Sequence, residues 1–89
     1  MKATLMKLKR VIETEQTDWE KDFGVKAIHR DNPSYDKVSA VKGYTMELYP
    51  ALDEGEVSKI LAKRLADGFD CDYTLYDEEN NLVGFVYKK

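Results

Sequence analysis

Alternation of apolar and polar positions is clearest near the C-terminus. Phe69, Cys71, Tyr73 and Leu75 alternate with Asp70, Asp72, Thr74 and Tyr76. That period of two predicts a half-buried strand with an acidic outer face. The run "DEENN" then reads as a turn in which Asn80 or Asn81 takes positive φ. "LVGFVYK", Leu82 to Lys88, returns as the second strand of a hairpin.

Before the hairpin the period changes to that of a helix, over about residues 54–67. Val57, Ile60, Leu61 and Leu65 form one apolar stripe. Asp53 stands at the N-cap with Glu56 three residues on, the spacing of a capping box. Asp53, Glu54 and Glu56 lie at the positive end of the helix dipole, and Lys59, Lys63 and Arg64 toward the negative end. Gly68 fits a left-handed stop. Upstream, "VKGYTMELY", Val41 to Tyr49, predicts a strand with Tyr44, Met46 and Leu48 on one face and Thr45, Glu47 and Tyr49 on the other. Pro50 ends it.

The first 31 residues are less decisive. Residues 5–13 fit a strand with Met6, Leu8 and Ile12 on one face, and also a helix with Leu5, Leu8 and Ile12 aligned. Thr17 and Glu20 have capping-box spacing, Trp19 and Phe23 lie at i, i+4, and Gly24 can end a short helix. Val25 to Asp31 reads as a strand. Strand, short helix, strand is the preferred order. The segment from Arg30 to Ser39 is rich in turn formers, and Pro33 disfavours helix at Asn32. The expected fold is a single α+β domain over 1–89. It has a four- or five-stranded, mostly antiparallel sheet, with one long helix and a short N-terminal helix on one face.

Composition bounds this picture. A chain of 89 residues buries only about 65% of its unfolded surface, so the core is small. Hydrophobic residues make up 43% and charged residues 35%, which is too apolar for disorder. One cysteine excludes an internal disulfide, and the scarcity of thiols suggests a cytoplasmic protein. The basic N-terminus lacks the apolar run of a signal peptide, and no stretch is long enough to span a membrane.

Net charge is −3, unevenly spread: residues 65–87 hold six acids and no base, so the remaining 66 residues sum to +3. Residues 1–12 hold four bases and no acid, and residues 13–22 hold five acids against Lys21. Such asymmetry bears on partners rather than on fold.

No catalytic constellation emerges. His29 and Cys71 are the only histidine and cysteine. They fall on different predicted strands, and Cys71 alternates inward as a buried structural thiol. Asp70, Asp72 and Asp77 do not form a calcium loop: the first two stand roughly 7 Å apart along a strand, and the Asp-x-Asp-x-Asp-Gly pattern is missing. The glycines are scattered, and none builds a phosphate-binding loop. The sequence thus predicts a non-enzymatic domain without cofactor or metal.

Two partner readings remain. Lys2, Lys7, Lys9, Arg10, Lys88 and Lys89 would suit phosphate contacts, but a pI of about 5.1 opposes a nucleic-acid-binding module. The other reading is a protein-binding face made of Asp70, Asp72, Tyr76, Asp77, Glu78 and Glu79. Its carboxylates would meet Lys or Arg, and Tyr76, with Tyr49 exposed on a neighbouring strand, would supply anchoring area. Carboxylates spaced along a strand also imitate a phosphate backbone. The expectation is therefore a small inhibitor or modulator, of the kind encoded by phages or mobile elements, docking on a larger basic protein such as a nucleic-acid enzyme. Glu13, Glu15, Asp18, Glu20 and Asp22 offer a second acidic face. The competing expectation is that acid-rich faces only keep small sheets soluble and unpaired, in a structural or oligomerising domain. An apolar edge at Phe85 and Tyr87 would let such a domain pair with a second copy.

Overall fold

The computed structural model describes residues 8–31, 35–36 and 38–88. Five strands carry most of the sheet: β1 (Leu8–Val11), β3 (Lys26–His29), β6 (Thr45–Leu48), β7 (Asp70–Tyr76) and β8 (Leu82–Lys88). The two-residue β4 (Tyr35–Asp36) extends one edge, giving the order β1-β6-β8-β7-β3-β4 with every pairing antiparallel. β2 (Thr17–Asp18) and β5 (Val38–Ser39) form a separate two-stranded ribbon. The helices are α1 (Trp19–Phe23) and α2 (Glu54–Ala66). The fold class is α+β, as the periodicities predict. The ambiguous N-terminal stretch is a strand from Leu8, and residues 5–7 lie outside the described residues.

Local chemistry explains the element ends. The backbone N–H of Glu56 donates to Asp53 Oδ1 at 2.9 Å, and the Glu56 side chain reaches back to the Asp53 N–H, completing the capping box. Gly68, at φ +93°, stops α2. In the hairpin turn it is Asn80 that takes positive φ, at 65°. The strand expected from Val41 begins only at Thr45, because Lys42 and Gly43 form a turn with Gly43 at φ +92°. The cap of α1 also differs from expectation. Thr17 pairs with Ser39 in the ribbon, so Asp18 becomes the N-cap and accepts from the Lys21 N–H at 3.0 Å.

Both faces of the sheet are covered, and the helices do not share one face. Tyr49, Val57, Cys71, Leu82, Phe85 and Tyr87 pack beneath α2. Met46, Leu48, Leu75, Val83 and Val86 pack on the opposite side against Trp19 and Phe23 of α1, with Ile12 and Val41. The indole N–H of Trp19 donates to Ser39 Oγ at 3.1 Å, tying α1 to the ribbon. The near-continuous apolar run of β8 reflects this double burial. β8 lies between β6 and β7, and Phe85 and Tyr87 are buried, so the C-terminal hairpin presents no apolar edge for pairing with a second copy.

Two irregularities in the β7–β8 register decide which side chains face where. Cys71 pairs with Tyr87 and Tyr73 with Val86, leaving Asp72 as an extra residue. Leu75 pairs with Gly84 and Tyr76 with Leu82, leaving Val83 as another. Each bulge inverts the alternation along the strand that holds the extra residue, β7 at Asp72 and β8 at Val83. Cys71 therefore packs on the α2 side, Tyr73 and Leu75 on the α1 side, and Tyr76 on the α2 side again.

Candidate functional site

The six acidic-face residues do not form one surface. Asp70 forms an ion pair with Arg30, which follows β3. Asp72 is 8% exposed and accepts from Tyr44 Oη at 2.7 Å. Its Oδ1 lies 3.4 Å from Arg30 Nη2, close enough for attraction but without a hydrogen bond. The hydrogen bond to Asp72, aided by burial, pushes the Tyr44 phenol up to about 12. Tyr76 packs against the cluster beneath α2 rather than standing outward. The expectation that Asp70, Asp72 and Tyr76 line one solvent face therefore fails, because the bulge at Asp72 breaks the alternation on which it rested.

The other three acids sit in the hairpin turn at the far end of β7. Asp77 Oδ1 accepts from the backbone N–H of Glu79 and of Asn81, each at 2.9 Å, which builds the turn. Burial pushes its carboxyl up, but these hydrogen bonds outweigh it and hold Asp77 below its ordinary value. Glu78 and Glu79 are exposed and form no ion pair among the described residues.

This turn meets the N-terminal acidic cluster. Glu20 of α1, Gly24, Val25, Lys26, Asp77 and Glu78 line one depression of about 130 Å³. Lys26 Nζ also donates to Asn80 Oδ1 of the turn at 3.3 Å. On the other side of α1, Asp22 and Glu13 line a second concavity. Acids more than fifty residues apart in sequence thus share one end of the molecule. Among the described residues bases are sparse there: Lys21 and Lys26 are present, and Lys42 lies 3.8 Å from Glu15.

The strongest electrostatic feature is one that the chain's periodicity does not announce. Glu47 is fully buried on β6. Arg64 of α2 donates to it twice, Nε to Oε2 at 2.7 Å and Nη2 to Oε1 at 3.1 Å. The hydroxyls of Tyr49 and Tyr87 donate to the same carboxylate. Tyr49, expected outward as an anchor, is 6% exposed. A buried charge is tolerated only when paired and fully hydrogen-bonded, and this four-residue network meets that condition. It locks α2 to the sheet.

Its titration is a prediction. Burial pushes the Glu47 carboxyl up, but hydrogen bonds from Arg64, Tyr49 and Tyr87 more than compensate and hold it at about 2, against an ordinary 4.5. Burial, then the hydrogen bond to Glu47, raises both phenols from 10 to about 12. A depressed carboxyl contributes stability above its unfolded pKa that is lost as pH falls. A raised phenol contributes stability below its unfolded pKa that is lost as pH rises. The network's contribution to the urea midpoint should therefore be constant between pH 4.5 and 10, falling toward pH 2 and toward pH 12. Glu47→Gln should remove its part of the acid-side fall.

Remaining candidates carry less. Burial raises the Cys71 thiol pKa, which disfavours the thiolate. His29 Nδ1 accepts from the Asp31 N–H at 3.0 Å, and its ring meets Tyr73 edge-on. No group of three or more His, Cys, Asp or Glu suited to a metal ion occurs among the described residues. Nor, among them, is any helix long and apolar enough to cross a membrane. Of the basic patch, Lys2, Lys7 and Lys89 lie outside the described residues. Lys9 Nζ sits 4.0 Å from Glu47, and Lys88 Nζ sits 5.4 Å from the centre of the Tyr44 ring. No protein-family model, curated protein or solved structure matches the chain.

Proposed function

We propose that this chain is a non-enzymatic protein-binding domain that docks an acidic surface on a larger, basic partner and so inhibits or modulates it. A nucleic-acid-binding protein is the partner class that such a surface fits. The docking surface is the end of the molecule where the hairpin turn meets α1, with Asp77, Glu78 and Glu79 beside Glu20. The observation that carries this reading is the convergence of two acidic segments, distant in sequence, around one depression. The exposed carboxylates of Glu78 and Glu79, in no ion pair among the described residues, keep their field for a partner and accelerate encounter with a positive surface. Asp70 and Asp72, held by Arg30 and Tyr44, brace the opposite end of β7.

Glu78→Lys with Glu79→Lys reverses the charge of two side chains that support no described contact. Capture of a basic protein from the native cell extract should fall at least tenfold, while far-UV circular dichroism and the melting temperature stay unchanged. Equal capture by the wild-type and reversed proteins would refute the docking surface.

A further inference from the structure

Beside α1 the end of β1 and the turn after it supply Val11, Ile12, Glu13 and Thr14, while β2 and α1 supply Thr17, Asp22 and Phe23. Together they line a groove of about 740 Å³. Val11, Ile12 and Phe23 make part of it apolar, and Val11 is 52% exposed. Glu13 and Asp22 add two exposed carboxylates, neither in an ion pair among the described residues. Asp22 Oδ2 accepts one long hydrogen bond, from the Asp18 N–H at 3.3 Å. No described lining residue is basic. Thr17, 1% exposed, adds a buried hydroxyl without a hydrogen-bond partner among the described residues.

We propose that this groove receives a long cationic side chain, arginine or lysine, from the basic protein partner. The inference rests on the docking reading above and names the anchor that docking would use. Arginine and lysine cover apolar surface with their methylene stems while the charged head stays in polar surroundings. Here the stem has Val11 and Phe23 to cover, and the head has two carboxylates with no base among the described lining residues. An anionic segment would be repelled by Glu13 and Asp22, and a neutral one would gain nothing from them. A divalent ion would need more oxygen ligands than these two side chains bring.

The test is an amide ¹H–¹⁵N titration of the full chain with N-acetyl-argininamide at low salt, run beside the uncharged isostere N-acetyl-citrullinamide. The expected result is saturable shifts at residues 11–14, 17, 22 and 23 with the arginine compound only. Glu13→Gln with Asp22→Asn should weaken that binding roughly fivefold or more, the scale of two ion pairs at a partly exposed site. Asp22→Asn alone should give a smaller loss, and Asp67→Asn, an acid remote from the groove, none. Absence of saturation, shifts spread over all exposed acids, or equal response to citrulline would overturn the proposal. If no arginine site is found but capture still depends on Glu78 and Glu79, the groove is refuted and the docking surface stands. If an arginine site is found but capture is indifferent to Glu78 and Glu79, the groove stands and the docking surface is refuted.

Discussion

Arg64→Met is expected to lower the unfolding free energy by about 3–5 kcal/mol, the scale of removing one partner from a buried ion pair. The substitution keeps much of the stem's packing but strands Glu47, which is fully buried, with only two phenol donors. A domain of this size has a total stability of only about 5–13 kcal/mol, so the loss takes a large share of it. Adding Glu47→Gln should restore most of the loss. A neutral amide accepts from one of the two phenols through its oxygen and donates to the hydroxyl oxygen of the other through its nitrogen, and the uncompensated charge is gone. Urea unfolding at pH 7 of the wild type, both single variants and the double variant measures the coupling directly. If Arg64→Met changed stability by less than about 1 kcal/mol, as an exposed pair would, the network would not be the clamp described here.

Gly84→Ala is expected to be the second most damaging small change, costing about 2–3 kcal/mol. A Cβ at Gly84 would lie 2.3 Å from the carbonyl oxygen of Glu47 and 3.1 Å from Leu48 Cα. Both neighbours are backbone, so no rotamer change relieves the clash, and β6 and β8 must separate where Gly84 pairs with Leu48. That movement also loosens the strand carrying Glu47. The expected signature is a lower urea midpoint together with faster amide exchange in β6 and β8. A wild-type midpoint would mean that the strands separate at no cost and that the close approach is incidental.

What the sequence made legible was local. α2 was readable because its cap, its stripe and its glycine stop lie within sixteen residues of chain. The hairpin was readable because its turn chemistry sits between two strand-period runs. Where the stripe was extended, the preference for apolar residues misled. Leu65 is 51% exposed, and Arg64 occupies the inward position. At 3.6 residues per turn, position 64 lies about 20° from Val57 and position 65 about 80°, so geometry alone favoured the arginine. The acidic face failed for a nonlocal reason. A bulge depends on the partner strand, and no feature of "DCDYTLY" marks Asp72 as the extra residue. Periodicity alone places Glu47 and Tyr49 outward, as if the polar face of a strand were always wet. The second apolar cluster, beneath α2, makes that face interior. The pairing of Thr17 with Ser39 and the meeting of α1 with the hairpin turn are likewise products of topology.

The central claim is that the α1 and hairpin-turn end of the molecule is the surface a basic protein occupies. Hydrogen–deuterium exchange of the chain, free and bound to the captured partner, tests it most directly. Slowed exchange is predicted in residues 13–26 and 77–81, with α2 unchanged. Protection confined to α2, or to the β1 edge, would contradict it.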